Sequence, residues 1–355
     1  MTAKRVLICD DSALIRQLLS EILGADPELE VVGVAADASI ARGMIKSLQP
    51  DVMTLDVEMP GMDGITFLRN IMRLRPMPVV MVSTLTERGA EITLEALSIG
   101  AVDCVAKPKT DVTNSLHDYA SGICEIVRVA AGARVYAKST AAATRAAGHV
   151  TEFHAAKGGL VKQIIAIGAS TGGTEAINEV LSALPANSPP VVITQHIPEG
   201  FSKTFAARLD TQSELTVCEA VDQQVLKVGH AYVAPGDQHL SVKKGGGGYL
   251  ITLDDGPKVN RHRPSVEVMF NSIVDQFEGT VVAALLTGMG SDGAQGLLNV
   301  RNSGALTIAQ NEATSVVWGM PGRAVELDAV NQVLPISKIA LAVMRGFDST
   351  CKMVA

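Results

Sequence analysis

At 355 residues the chain is longer than one ordinary hydrophobic core supports and suits two domains. Its 47% hydrophobic and 19% charged content fits a soluble globular protein, and no apolar run approaches the roughly 20 residues that span a bilayer, so a cytoplasmic, non-membrane protein is expected. The net charge of −7 belongs entirely to residues 1–125, with 11 Lys and Arg against 18 Asp and Glu, while 126–355 balance at 19 against 19; a nucleic-acid partner, which rewards a basic face, is not expected.

The N-terminal MTAKRVLICDD turns acidic directly after its apolar run and reads as a first strand, not a signal peptide. DSALIRQLLSEIL follows as an amphipathic helix capped by Asp11 or Ser12. Strand-like runs recur at Glu30–Ala35, Asp51–Leu55, Pro78–Ser83 and Asp103–Ala106, with helix-length segments between them. Five βα units make a doubly wound parallel sheet. Polar residues collect at its strand ends: Asp10 and Asp11, Asp56, Ser83 and Thr84, and Lys107 before Pro108. Clustered carboxylates repel unless a hard divalent cation takes their oxygens, and a lysine with a hydroxyl beside them can hold phosphoryl oxygens. Singly, these residues could equally be helix caps, turn residues or solvated charges.

Together, the Asp10-Asp11 pair, Asp56 followed by EMPGMDG, Ser83 and Lys107-Pro108 make residues 1–125 resemble the receiver domain of two-component response regulators. The resemblance implies that Asp56 accepts a phosphoryl group from a histidine kinase, with Mg²⁺ held by Asp11, Asp56 and the Glu58 carbonyl and supported by Asp10 through water. Ser83, directly after the apolar run, is preferred to Thr84 as the switch hydroxyl.

Residues 126–159 hold eleven alanines and five Lys or Arg against one acid, Glu152, which is linker chemistry. Their first part, GICEIVRVAAGARVYAK, can prolong the last receiver helix. His149 and His154 fall in this segment and read as solvated. The five cysteines are scattered without CxxC spacing, so neither a disulfide framework nor a zinc site is indicated; they read as buried apolar fillers.

A second α/β series, expected over 160–348, opens with QIIAIGASTGGT, an apolar run that delivers Ser170 into a Gly-rich turn before the helix-like TEAINEVLSAL. Further strands are expected at VVITQ, Ala231–Ala234, Tyr249–Leu253, Val281–Leu286 and Ala305–Ala309, with a hairpin through KKGGGG between two of them. The segment Gly168–Gly172 fits the short G-x-S-x-G pattern of a nucleophile on a sharp turn, although Ser170 could simply cap a helix. A serine attacks an acyl carbon only with a base, an acid that orients the base, and oxyanion donors. Two more apolar runs end in such partners: VVITQHIP presents His196, and VVAALLTGMGSDG presents Asp292. His230, His239 and His262 fit less well, the last because it sits among arginines.

GASTGG, ITQHIP and LLTGMGSDGA, with RHRPSVEVMF and AQNEATSVVWGMP, resemble the catalytic domain of the CheB family of chemotaxis protein-glutamate methylesterases. The resemblance implies Ser170 as nucleophile, His196 as base and acid, Asp292 as the residue fixing the imidazole tautomer, the Met289 N–H at the oxyanion and Thr171 in orientation. It implies hydrolysis of glutamate γ-methyl esters on chemoreceptors and deamidation of receptor glutamines, with no cofactor for the esterase step. One chain carrying both a phosphoacceptor edge and a hydrolase edge, joined by a long linker, leads to the expectation that a phosphorylated receiver relieves inhibition. Two alternatives remain at this point: a nucleotide-binding enzyme with GASTGG as a phosphate cradle, disfavoured by the missing GxGxxG spacing, and a non-enzymatic output module. The role of Arg261–Val266, toward substrate or toward the other domain, is open.

Overall fold

Apolar runs rich in Val and Ile become strands where both of their faces are covered, and here helices cover them. The computed structural model describes residues 2–83, 87–107, 113–133, 135 and 161–347. Thr84, Pro108, most of the expected linker with its two histidines, and Cys351 therefore lie outside the described residues. The chain divides into two units, Met1–Ala143 and Thr144–Ala355.

In the first unit, β1 (Lys4–Cys9), β2 (Leu29–Ala35), β3 (Val52–Asp56), β4 (Val79–Ser83) and β5 (Asp103–Ala106) alternate with α1 (Ala13–Gly24), α2 (Ala38–Leu48), α3 (Gly64–Leu74), α4 (Glu87–Ile99) and α5 (Thr113–Ala131). The strands are parallel in the order β2-β1-β3-β4-β5. Chain direction across the sheet reverses between β1 and β3, so the loops after those strands part and leave a crevice at their carboxyl ends. Short polar side chains start the helices: Ser12, not Asp11, accepts from the Ile15 N–H, while Asp37 and Asp63 cap α2 and α3. The boundary expected at residue 125 falls inside α5, which continues to Ala131.

The second unit is built on β6 (Gln163–Ala169), β7 (Val191–Gln195), β8 (Thr216–Glu219), β9 (His230–Val233), β10 (His239–Gly245), β11 (Gly248–Asp254), β12 (Thr280–Leu285), β13 (Leu306–Gln310) and β14 (Gln332–Leu334). Its helices are α6 (Gly173–Leu181), α7 (Phe201–Gln212), α8 (Val266–Gln276), α9 (Ala294–Asn302), α10 (Met320–Glu326) and α11 (Ile336–Arg345). Seven strands form one sheet, β14-β13-β12-β6-β7-β9-β8, in which every neighbouring pair is parallel. β10 and β11 form a separate antiparallel hairpin. The expected hairpin is thus present with a different partner: β11 pairs with His239–Gly245, while the run at Ala231–Ala234 joins the large sheet. Gly245 pairs with Gly248 and leaves Gly246 and Gly247 as the two-residue turn.

The hairpin, α8 and α9 share one core with the sheet through Leu240, Val242, Ile251, Met269, Phe270 and Leu297. Among the cysteines, Cys9 and Cys124 are buried as expected, but Cys104 and Cys218 are only partly so; all four are free. Among the described residues no helix is long and apolar enough to cross a membrane.

Phe270 is fully buried on α8. Phe270→Ala should lower the unfolding free energy of this unit by about 3–5 kcal/mol. Urea unfolding followed by far-ultraviolet circular dichroism measures it, and a loss below about 1 kcal/mol would show that the aromatic ring is not a keystone of this core.

Candidate active site and phosphoacceptor site

The neighbouring strands β12, β6 and β7 place three loops side by side at the carboxyl edge of the large sheet. Ser170 follows β6, His196 follows β7 and Asp292 lies in the loop after β12. Ser170 Oγ is 3.1 Å from His196 Nδ1, and His196 Nε2 is 2.8 Å from Asp292 Oδ2. All three side chains are largely or fully buried. An ionised carboxylate can only accept, so Nε2 carries the ring proton and Nδ1 keeps its lone pair for the serine hydroxyl, which donates to it. The ring therefore turns Nδ1 to Ser170 and Nε2 to Asp292, opposite to the trypsin-like arrangement.

Asp292 is 1% exposed, and burial pushes its pKa up. The hydrogen bond and electrostatic pull of His196, with hydrogen bonds from Asn260 and Ser265, outweigh burial and bring it down to about 2. Its Oδ1 accepts from Asn260 Nδ2 at 2.9 Å and the Ser265 hydroxyl at 2.7 Å, and its Oδ2 accepts from the Val266 N–H at 2.7 Å, in the first turn of α8. The carboxylate thus sits at a helix N-terminus, where backbone dipoles favour negative charge. Gly168 and Gly293 let this happen, because a Cβ at either would run into Val266 at 2.2 or 2.4 Å.

The RHRPSV stretch, left open by the sequence, packs against Asp292 and His196. Val259 and His262 pair across a tight turn in which Asn260 and Arg261 adopt left-handed backbone conformations, with φ of 50° and 68°. Arg263 anchors the turn by an ion pair with Asp237 and hydrogen bonds to the Asp255 and Gly256 carbonyls. The turn lays His262 flat on His196, with ring centroids 3.7 Å apart and planes within 6°. Burial, then the neighbouring His196, bring the His262 pKa down to about 4, so it is neutral near pH 7. His196, His262 and Asp292 have the residue types of a metal site. Stacked rings, however, send their in-plane lone pairs along parallel planes, and one ion cannot lie in both.

On the other side of the serine, Gly172 is left-handed at φ 75° and turns the chain into α6. The Ser170 N–H donates to the Thr287 carbonyl at 3.0 Å, so it is engaged within the fold. Thr171 is buried, and its carbonyl accepts from the Thr287 hydroxyl. Gly288 packs on Ser170 so closely that a Cβ there would lie 2.8 Å from the serine Cβ; Met289 follows, half-buried. Thr171, expected in orientation, therefore follows Ser170 directly, and Met289, expected at the oxyanion, follows the glycine packed against Ser170.

The first unit gathers a second cluster. Lys107 Nζ lies 2.8 Å from Asp56 Oδ2 and 3.2 Å from Asp10 Oδ2, and both aspartates are 1% exposed. Asp11 is exposed at the rim, yet carboxylate oxygens of Asp10, Asp11 and Asp56 lie within 4.8 Å of one another. Burial pushes the Asp56 pKa up, Lys107 opposes it, Asp10 adds to it, and the result is about 6. Burial works to strip Lys107 of its proton, but the two carboxylates outweigh it and hold the ammonium charged. Ser83 is buried at the end of β4, and exposed Glu58 donates its N–H to Asp56 Oδ1 at 3.3 Å. Asp10 Oδ2 and Asp56 Oδ2 share the single Lys107 ammonium. Two buried carboxylates sharing one cationic group, beside a third acid, fit a hard cation such as Mg²⁺.

Residues 165–343 match the family model of the CheB methylesterase, and residues 6–117 match that of the response regulator receiver domain. The chain is 54% identical over 343 residues to protein-glutamate methylesterase/protein-glutamine glutaminase 2 of Saccharophagus degradans, covering 96% of this chain and 98% of the relative. It is 49% identical to the corresponding protein of Hydrogenovibrio crunogenus, covering 96% and 97%. The crystal structure of the Thermotoga maritima CheB methylesterase catalytic domain superposes with a TM-score of 0.51 at 40% identity, covering 52% of this chain and 98% of that one.

Asp56 also leaves a thermodynamic signature. Unfolded, it titrates near 3.8; folded, it keeps its proton to about 6, so between these values the native state binds more protons and stability is lost as pH rises. The unfolding free energy of Asp56→Asn relative to wild type should therefore rise by about 2–3 kcal/mol between pH 4 and pH 7. Urea unfolding across that range checks it, and a pH-independent difference would contradict the raised value.

Proposed function

The chain belongs to the CheB methylesterase family, and from that membership and the site's geometry we propose that Ser170, His196 and Asp292 hydrolyse glutamate γ-methyl esters on chemoreceptors. The observation that carries the reading is the continuous hydrogen-bond chain from Ser170 Oγ through the His196 ring to Asp292. His196 Nδ1 takes the hydroxyl proton as Oγ attacks the ester carbonyl, and the imidazolium is stabilised by the Asp292 carboxylate. The tetrahedral intermediate collapses as His196 returns the proton to the departing methoxide, releasing methanol and leaving an acyl-serine. Water, activated by the same nitrogen, then frees the glutamate. With a receptor glutamine, ammonia leaves in place of methanol. The Met289 N–H and Thr171 are assigned to oxyanion support and orientation.

The receiver supplies regulation. Asp56 accepts a phosphoryl group from a histidine kinase, with Lys107 and Ser83 placed to hold its oxygens. Asp11, Asp56 and the Glu58 carbonyl would hold Mg²⁺, with Asp10 behind them, and the ion's charge would offset that of the phosphoryl oxygens. In this reading the receiver extends through the end of α5, the esterase unit occupies 160–348, and phosphorylation relieves inhibition by the receiver. Methylated receptors and a histidine kinase are the partners, and the setting is cytoplasmic.

Methanol release from membranes carrying methylated chemoreceptors tests both halves. Ser170→Ala should lower the rate by about 10⁴-fold or more. Acetyl phosphate with Mg²⁺ should raise the wild-type rate and leave Asp56→Asn unchanged. A Ser170→Ala enzyme of wild-type rate would overturn the triad, and a phosphorylated wild type without activity would favour a binding module instead.

A further inference from the structure

Gln195 ends β7 and is only 4% exposed, yet its side chain is polar and reaches across to β6. Its Nε2 donates to the Ser170 carbonyl at 2.8 Å and to the His196 carbonyl at 3.0 Å. The amide NH₂ carries two N–H bonds and can give one to each acceptor. The amide orientation is thereby fixed, because turned over it would aim Oε1 at two carbonyl oxygens. Oε1 instead faces the start of α6 and has no hydrogen-bond partner. It lies where a side chain at Gly173 would begin, 2.0 Å from the position of a Cβ. The glycine that opens α6 therefore leaves room for this amide.

The location decides what the contact does. The backbone bonds that join β6 to β7 end with the His196 N–H donating to the Ala169 carbonyl at 3.1 Å. Beyond that rung the two strands diverge into loops, and the carbonyls of Ser170 and His196 lie past the ladder. The ladder holds the His196 N–H to the residue before Ser170, and past it the Gln195 amide bridges the two carbonyls. The amide spans this gap, touching the main chain of both residues and the reacting atoms of neither.

We infer that Gln195 is a positioning residue that sets the Ser170–His196 distance by tying the carbonyls of nucleophile and base to one amide. This rests on the esterase reading. Displacements of about 1 Å between reacting groups cost on the order of 100-fold in rate, which gives the scale of the effect.

The test uses the full-length chain, hydrolysis of methylated receptor membranes, and rates normalised to folded protein by circular dichroism. Gln195→Met keeps the length and apolar bulk but cannot donate; kcat should fall about 10- to 100-fold with KM within about twofold. Gln195→Glu keeps one donor only while protonated, so its rate relative to wild type at the same pH should decline as pH rises. A Gln195→Met enzyme within about threefold of wild type, or a Gln195→Glu ratio independent of pH, overturns the inference. Where Gln195→Met yields too little folded protein, the Gln195→Glu ratio decides alone. An inactive wild type would defeat the esterase reading itself, whereas an active wild type with unimpaired variants defeats only the role of Gln195.

Discussion

The architecture of the second unit depends on keeping one carboxylate ionised where water cannot reach it. Burying an unpaired charge costs several kcal/mol, and the penalty is met only when donors replace the lost hydration. Asp292 collects them from four directions: the His196 ring, the Asn260 amide, the Ser265 hydroxyl and the first turn of α8. Each donor fixes a piece of the site. The ring carries the base, the amide holds the Val259–His262 turn, and the helix N-terminus fastens α8 to the edge of the sheet.

Two buried aspartates in one chain show how strongly neighbours decide charge. Asp292 and Asp56 are equally hidden from solvent, and burial pushes both pKa values up. Surrounded by donors, Asp292 ends near 2; beside a second carboxylate and a single lysine, Asp56 ends near 6. The first is committed to being an anion, as a fixed partner for an imidazole must be. The second is held with unspent affinity for positive charge, which suits a group that receives a phosphoryl and its cation.

The parts of the structure legible from residues alone were those in which an apolar run stops at a polar residue. That pattern placed Asp10, Asp56, Lys107, Ser170, His196 and Asp292, because parallel strands align their ends whatever the loops do. His262, Asn260 and Ser265 escaped it. They come from a turn whose shape depends on left-handed Asn260 and Arg261 and on a distant Arg263–Asp237 pair, and neither leaves a periodic trace. The edge strands Thr216–Glu219 and Gln332–Leu334 are largely exposed or half-buried and carry no continuous apolar run, so they left no strand signal. The partner of β11 was different: Leu240 and Val242 alternate with polar residues, a period-two signal that the sequence carries but that is weaker than the apolar run at Ala231–Ala234.

The way round that His196 is mounted has a mechanical corollary. In an imidazole, Nδ1 lies next to the atom joined to Cβ, and Nε2 lies at the outer end. With the carboxylate gripping the outer end and the chain gripping the inner one, the nitrogen that handles the proton sits between two supports, like a point on a beam and not the tip of a lever. The flat face of His262 braces that beam from the side. In the proposed reaction a proton shuttle so mounted would give up reach and gain constancy of aim, and the substrate would have to bring its carbonyl to it.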